Sequence, residues 1–499
     1  MKKIIFFMIL ILLISFISLN TTGFVTRIIS GDYDNKETLI CNSNGNCWEP
    51  TGENIQLAID DLNSGTVWLP PGTFNIDSLD SDIGGTEKAI EINQDNIRLI
   101  GSGTGSTTIE STEPTIWPLW LEADNLTIKD FTINMYGGGD RSGNAIQVRG
   151  KNMVVENINV IHPNYLAIYV TGNTQNSFFN NIYIQLYDNS ETNPSIQGFG
   201  TSEHSFNNTI SNIIIDGQVD AASPDNGTVG FSLHSRNTAV SNVVITGNGY
   251  GFQMDIKDES GATYGAEDSV YSNIIVAGEG QEYWAYRIHQ AHNSLFQNLQ
   301  AKNTGGFFIG STGSGNECEN LVFDGIIMED CSKGIKLYDG HQNIAISNTI
   351  IKNSGEEGID AQNGGTNIAV TNSQFVNNGE MERFEGITGL TFSNNKIINN
   401  QQQDHASFYI SDCKDFVING NTITEGNKYG LFINHAGGVC EDFIISDNII
   451  RNNGEQGIFV SNAAHNDYLM TNNIVNGHSV SQITDLGTGA NKINGDNLT

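Results

Sequence analysis

Apolar and polar residues alternate in short bursts along most of this chain, and the bursts return at a nearly fixed interval. One unit is a polar residue, usually Asn or Asp, before an apolar-rich triplet: Asp130-FTI, Asn157-INV, Asn181-IYI, Asn212-III, Asn242-VVI, Asn273-IIV and Asn298-LQA. With one residue of slack it continues at Asp324, Asn348, Asn372, Asn394, Gly420, Asp447 and Asn472. Successive units therefore lie 22 residues apart (Asn372 to Asn394) to 31 apart (Asn181 to Asn212). A second unit opens on a small residue and alternates with the period of two of a half-buried strand. Examples are NAIQVR (Asn144–Arg149), GFSLHS (Gly230–Ser235), GIKLYD (Gly334–Asp339), GIDAQN (Gly358–Asn363) and GLFINH (Gly430–His435).

Repeats of roughly 25 residues, with two or three short strands and no helix, cannot bury their apolar faces singly. They do so by stacking coil on coil at about 4.8 Å per coil. Asparagines pointing inward at successive turns are expected to bond in ladders. The pattern predicts an all-β chain, one continuous parallel β-helix of about 14 coils. Ahead of the repeats, TGENIQLAIDDLNSG (Thr51–Gly65) predicts a short helix. Thr51 is its N-cap, and Ile55, Ala58, Ile59 and Leu62 fall on one face. A helix there closes the open end of the stack before the strand TVWLPPGTF (Thr66–Phe74).

The stretch ENIQLAIDDLNSGTVWLPPGTFNI (Glu53–Ile76) resembles the N-terminal signature of the pectate-lyase-like superfamily. That resemblance implies a right-handed parallel β-helix from Thr51 to about Asn476. The superfamily includes polysaccharide lyases, glycoside hydrolases, uronate epimerases and phage tailspikes, so it implies a fold and not one activity. Motifs of particular activities are different here. RIH stands at Arg287–His289, where polygalacturonase-type hydrolases carry R-I-K, and neither their N-T-D and G-H-G nor the D-P-H of alginate epimerases is present.

The expected organisation is a signal peptide or N-terminal anchor over 1–22, a polar lead-in over 23–50 and one β-helix domain over 51–499. Within the domain, 51–76 form the cap signature, 96–476 the coils and 477–499 a C-terminal tail. Lys2-Lys3 followed by apolar Ile4 to Leu19 has the shape of a secretory signal, and the run is short for a spanning helix. The remainder is expected to be secreted or at the cell surface, touching a membrane only through that segment if it is not cleaved. Six cysteines suit an oxidising compartment. Cys41 and Cys47 flank a Gly-Asn turn, Cys413 and Cys440 would stack one repeat apart and could be bridged, and a third pairing is Cys318 with Cys331. The net charge of −33, from 23 Lys+Arg against 56 Asp+Glu, argues against nucleic acid or anionic membranes as partners.

Catalytic-looking chemistry concentrates in GFSLHS, GFQMDI (Gly251–Ile256) and AYRIHQ (Ala285–Gln290), within the coils of longest spacing. If Leu233, Met254 and Ile288 face inward, His234, Asp255 and His289 stand side by side outside. Alignment of all second units puts Arg149, Thr171, Phe199, Gly310, Tyr338 and Gln362 in that same outer column. A parallel column holds Gln147, Tyr169, Gln197, Ser232, Gln253, Arg287, Phe308, Lys336 and Asp360. A carboxylate at Asp255 would fix an imidazole tautomer and raise its basicity, and Arg287 would pair with a substrate carboxylate. The catalytic candidates are thus His234, Asp255, Arg287 and His289. Substrate-binding candidates are Arg236, Gln253, Lys257, Tyr264, Lys336, Tyr338 and Asp360, with His292 nearby on the same long loops.

No His/Cys spacing suggests zinc and no metal is assigned to the site. The cofactor is unknown, calcium being the candidate ion through the oxygens of Asp216, Asp220 and Asp225. The expected function is an extracellular enzyme on an acidic polysaccharide, removing a sugar C5 proton as lyases and epimerases do. The alternatives are a glycoside hydrolase of the same fold and a non-enzymatic cell-surface or adhesion rod.

Overall fold

The computed structural model describes residues 38–77, 87–113, 115–135, 143–187, 196–202, 204–218, 228–247, 249–254, 266–278, 284–289, 291–310, 318–338, 340–400, 406–435, 437–461, 465–487 and 493–498. The expected signal segment, Asp255, Lys257, Tyr264, Asp220 and Asp225 lie outside them. The chain folds as a right-handed parallel β-helix of about 13 turns, close to the fourteen coils that the repeat spacing implied. Helix α1 (Gly52–Asp60) starts at Thr51, whose hydroxyl accepts from the Asn54 amide at 3.4 Å, and buries Ile55, Ala58 and Ile59. A Cys41–Cys47 disulfide closes the small loop before it, as expected.

Two sheets run the length of the rod, one of 16 strands and one of 29. Beyond the antiparallel pairings of Ile40–Asn42, every described pairing between strands is parallel. Strand pairing continues through Ser481–Asp485, which lies on Gln456–Val460. Coils turn at single residues in the left-handed region: Asn207, Asn212, Asn242, Asn273 and Asn298 have φ of 53–56°, and their equivalents recur along the chain. Asparagine tolerates that conformation because its short polar side chain bonds locally, so the repeat favours it there.

The ladders built by these asparagines lie on the outside, which corrects the expectation that they point inward. Asn181 Nδ2 donates to Asn157 Oδ1 at 2.7 Å, Asn273 to Asn242 and Asn298 to Asn273 at 3.1 Å, all exposed. A left-handed residue at a convex corner sends its side chain toward solvent, leaving the interior to the flanking Ile and Val. A separate inward ladder joins Asn395, Asn421, Asn448 and Asn473 in the C-terminal coils, each amide also capping a buried backbone carbonyl.

Inside, identical positions stack on one another. Phe199, Phe231 and Phe252 stack at 5.4 and 5.8 Å, and Tyr271, Phe296 and Phe323 at 4.9 and 4.7 Å, all fully buried. Phe199 is therefore inside, and the expected outer columns are wrong at this coil. Tyr169 pairs with Gly200 and Gly200 with Ser232, so Gly200 takes the place given to Gln197, three residues off. An aromatic ring seated on Phe231 fixes that register against the polar alternative.

Two of the expected bridges are absent. Cys413 and Cys440 do stack, since Lys414 pairs with Glu441, but both are free thiols. Cys413 Sγ donates to the Ser411 carbonyl at 3.2 Å, within its own coil. Cys318 and Cys331 are also free: Cys318 lies against His341, while Cys331 lies against Thr304 on another turn.

Truncating one member of an aromatic stack should be costly because neighbouring rungs cannot close the gap. Phe296→Ala is expected to lower stability by about 3–5 kcal/mol, whereas Asn298→Gly, on the exposed ladder, should cost about 1 kcal/mol or less. Denaturant midpoints of the two variants check this.

Candidate functional site

Seven strands of the 16-stranded sheet position the site: β1 (Thr228–Ser232), β2 (Gly249–Met254), β3 (Tyr286–Ile288), β4 (Phe307–Ile309), β5 (Ile335–Tyr338), β6 (Ile359–Gln362) and β7 (Glu382–Glu385). Their register is continuous. Ser232 pairs with Gln253, Gln253 with Arg287, Arg287 with Phe308, Phe308 with Lys336, Lys336 with Asp360 and Asp360 with Arg383. The predicted outer column from Ser232 to Asp360 is thus present in the order expected. At about 4.8 Å per rung, Arg287 and Lys336 stand roughly 10 Å apart along the axis.

The inward set is also as expected: Phe231, Leu233, Phe252, Met254, Tyr286 and Ile288 are all buried. Tyr286 sends its hydroxyl to the carbonyls of Ile274 and Gln300, which satisfies the one polar atom it carries inside. Met254 pairs with Ile288, one residue short of Asp255 and His289. His289 is on the outer side yet only 6% exposed, packed by Phe308 at 5.5 Å between ring centroids. Arg287 Nε donates to His289 Nε2 at 2.9 Å. A guanidinium has no acceptor, so Nε2 is unprotonated in this pairing and the ring is held in a defined orientation. His234 Nε2 lies 3.3 Å from Ser232 Oγ, and its own amide donates to Thr201 Oγ1.

Trp284 and Phe308 (5.3 Å) and Phe308 and Tyr338 (5.9 Å) continue the aromatic surface, with Lys333 Nζ 5.2 Å over Trp284. Arg236 and His292 belong to a different row, at the turn beyond the site. Arg236 Nε is 3.4 Å from Glu267, and His292 is 4.0 Å from Glu319, so these bases are paired within a row of acids. Asp216 accepts from Thr246 at 3.2 Å. Among the described residues no group of three or more His, Cys, Asp or Glu is arranged to hold a metal.

Two rungs further on lies a dense ion network. Arg383 binds Asp360 with two hydrogen bonds (Nε to Oδ1 2.8 Å, second nitrogen to Oδ2 3.1 Å) and reaches Glu357 at 3.1 Å. Lys336 Nζ is 2.7 Å from Glu356 and 3.7 Å from both Glu357 and Asp360. Asp360 is fully buried and Glu357 nearly so. Burial, and then the charge of Asp360, push the Glu357 carboxyl above its ordinary range. Burial alone would lower the Lys336 ammonium, but the bond to Glu356 and the charge of Glu357 outweigh it and raise it.

Behind this network the interior column reads Tyr286, Phe307, Ile335, Ile359, then Glu382, then Phe408 and Leu431. Glu382 is fully buried and accepts from the Ile359 amide at 2.7 Å and from Asn378 at 3.0 Å. Elsewhere in this column the equivalent amide is met by a backbone carbonyl, as Ile335 is by Gly358. Glu382 therefore ties down the backbone that carries Glu357 and Asp360. Burial pushes its carboxyl up to about 8.

Lys336 and Asp360, both expected as sugar-binding candidates, lie in this network, whereas Glu357, Glu382 and Arg383 were not singled out. The available signal was Glu382-Arg383 itself, since a glutamate stands there where every neighbouring coil has Ile, Phe or Leu.

The family model described as "right handed beta helix region" matches residues 309–439 and 382–498. No curated protein matches the chain. Among solved structures, the chain is similar to the A-module of the Azotobacter vinelandii mannuronan C-5 epimerase AlgE6, at 14% identity over 88% of this chain and 95% of that one, with a TM-score of 0.36. It is similar to the GH87 α-1,3-glucanase catalytic domain in complex with nigerose, at 15% identity over 90% and 66%, TM-score 0.34. It is also similar to the tailspike protein of E. coli bacteriophage HK620 in complex with a pentasaccharide, at 15% over 91% and 78%, TM-score 0.46. At these identities the likeness concerns the fold alone.

Glu382 makes stability depend on pH with a defined sign. The native state keeps the proton to about pH 8, whereas the unfolded chain releases it near the ordinary value of 4.5. Its contribution is complete below 4.5 and is lost as the pH rises through about 8. Between pH 5 and 8.5 the wild type should lose about 2–5 kcal/mol relative to Glu382→Gln. Parallel melting curves of the two proteins across that range provide the check.

Proposed function

We propose that this right-handed parallel β-helix, whose cap sequence Glu53–Ile76 resembles that of the pectate-lyase-like superfamily, acts outside the cell on an acidic polysaccharide laid along the 16-stranded sheet. The observation that carries the reading is the Arg287–His289 pair: a cation and an unprotonated imidazole nitrogen 2.9 Å apart on the outer side of one rung, in a column that continues through Phe308 to Lys336. In a chain of net charge −33, the Arg287 guanidinium on this column marks where an anionic sugar can still be attracted.

In this reading a uronate carboxylate takes the guanidinium of Arg287, which neutralises it and acidifies the adjoining C5–H. The same exchange releases Nε2 of His289, which accepts the C5 proton. For elimination, the C5–H electron pair forms the C4=C5 double bond, the C4–O bond breaks, and the departing oxygen takes a proton from water. For epimerisation no C–O bond breaks and a proton returns to C5 from the opposite face. Asp255 would orient the imidazole, and His234 stands as the second base. Phe308, Lys336, Tyr338 and Gln253 would hold neighbouring sugars, with Lys257, Tyr264 and Arg236 at the margins. The expected extracellular location is supported by the Cys41–Cys47 bridge and the apolar N-terminal stretch.

One observation favours the hydrolase alternative. Glu357, whose carboxyl is pushed up by burial, and Asp360 share the Arg383 guanidinium, and two neighbouring carboxyl groups are what acid-assisted glycoside cleavage uses.

On a panel of polyuronates, the wild type should release products with the near-ultraviolet absorbance of an unsaturated uronate, or exchange the C5 hydrogen with solvent. His289→Ala and Arg287→Ala should each reduce that rate by about 10²-fold or more. New reducing ends without unsaturation, abolished by Glu357→Gln and not by His289→Ala, would move the activity to the hydrolytic pair. Neither product from any substrate would leave the adhesion reading.

A further inference from the structure

We infer that a second copy of this chain lies along the outer face of the 29-stranded sheet between its two rows of left-handed asparagines. The face presents two outward rows, one residue per coil in each. Beyond the coils of Lys129 and Glu156, whose charges stand in the second row, one row runs through 12 coils from Phe178 to Leu469 and the other from Asn180 to Thr471. Of these 24 positions (12 in each row), Asp324 alone is charged, in a chain whose charged fraction is 16%. The first row holds only Phe, Thr, Ala, Val, Leu and Ile, and Phe178, Val270, Val322 and Ile444 are 37–41% exposed.

Three features favour a second copy as the occupant. Two molecules of charge −33 repel least where they meet on surfaces of low charge, and over these coils the face carries one acid per copy, Asp324. Other acids stand at the margin, at Asp268, Asp415 and Asp442 in the flanking asparagine row, which gives a charged rim around a centre of one apolar row and one row of mostly hydroxyl and amide side chains. The area also suits a stable dimer. Eleven rung steps of about 4.8 Å and a width of about five residues at 3.3 Å give roughly 53 by 17 Å, or about 900 Å², against about 800 Å² per partner in an ordinary interface. A two-fold pair would set each copy's Val and Phe row against rungs of identical spacing, so the rows can interdigitate over their whole length. The 16-stranded sheet with the candidate site stays open.

Light scattering over a concentration series tests this with the full chain. The wild type is expected at about 109 kDa (2 × 54.3 kDa), and Val270→Lys/Val322→Lys at 54.3 kDa with an unchanged far-ultraviolet spectrum. Ile275→Lys, on the neighbouring face, should leave the dimer intact. Should the lysines unfold the chain, the shape-conserving Val270→Thr/Val322→Thr pair should instead weaken the dimer at least tenfold. A wild type that is monomeric throughout the series overturns the proposal. So does a dimer insensitive to both double variants, or one broken only by Ile275→Lys. A monomer whose retention on an insoluble glycan is lost in the Val270/Val322 variants would assign the face to the glycan and overturn it equally.

Discussion

Backbone hydrogen bonds run along the axis of this protein, from each rung to the next, and every other property depends on their register. A one-residue slip would turn every inward side chain of a strand outward, so the register is held by what each coil stacks inside. Phe296 between Tyr271 and Phe323 is one such lock, and Phe199 on Phe231 is another. Because the ladder is parallel and the coils are alike, residues far apart in sequence become immediate neighbours on the surface. Arg287 and Lys336, 49 positions apart, are separated by a single phenylalanine.

Much of this was legible because periodicity is a direct consequence of the geometry. A strand that buries one face must alternate, and a coil that stacks must repeat, so the columns from Ser232 to Asp360 follow from counting. Counting failed where a side chain's size outweighed its position. The coil around Phe199 offers two registers that alternate equally well, and only an aromatic seat on Phe231 chooses between them. The turn asparagines were identified correctly and faced wrongly, because alternation says nothing about a left-handed corner. Cys413 and Cys440 were placed in adjacent coils correctly, yet stacking does not decide oxidation when each thiol already has a carbonyl of its own.

Glu382 belongs to a different class. Hydrophobic pattern treats a charged residue at an interior position as an irregularity, and nothing local announces that its carboxyl replaces a backbone carbonyl under the strand of Asp360. Once the rungs are assembled the reason is plain. The coil that carries Arg383 does not present a carbonyl to Ile359, and a side-chain oxygen meets the amide instead. Such departures from otherwise consistent patterning tend to gather where a surface has work to do, and this one sits directly behind the densest set of ion pairs described.

Regular stacking also gives the molecule a built-in scale. Functional groups on the 16-stranded sheet are spaced in whole rungs, so gain or loss of one coil between Arg287 and Asp360 would move them by about 4.8 Å without disturbing either neighbourhood. Spacing along the rod can thereby change in discrete steps while local chemistry is conserved. A lineage could change the distance between these side chains by duplication alone, with none of them replaced.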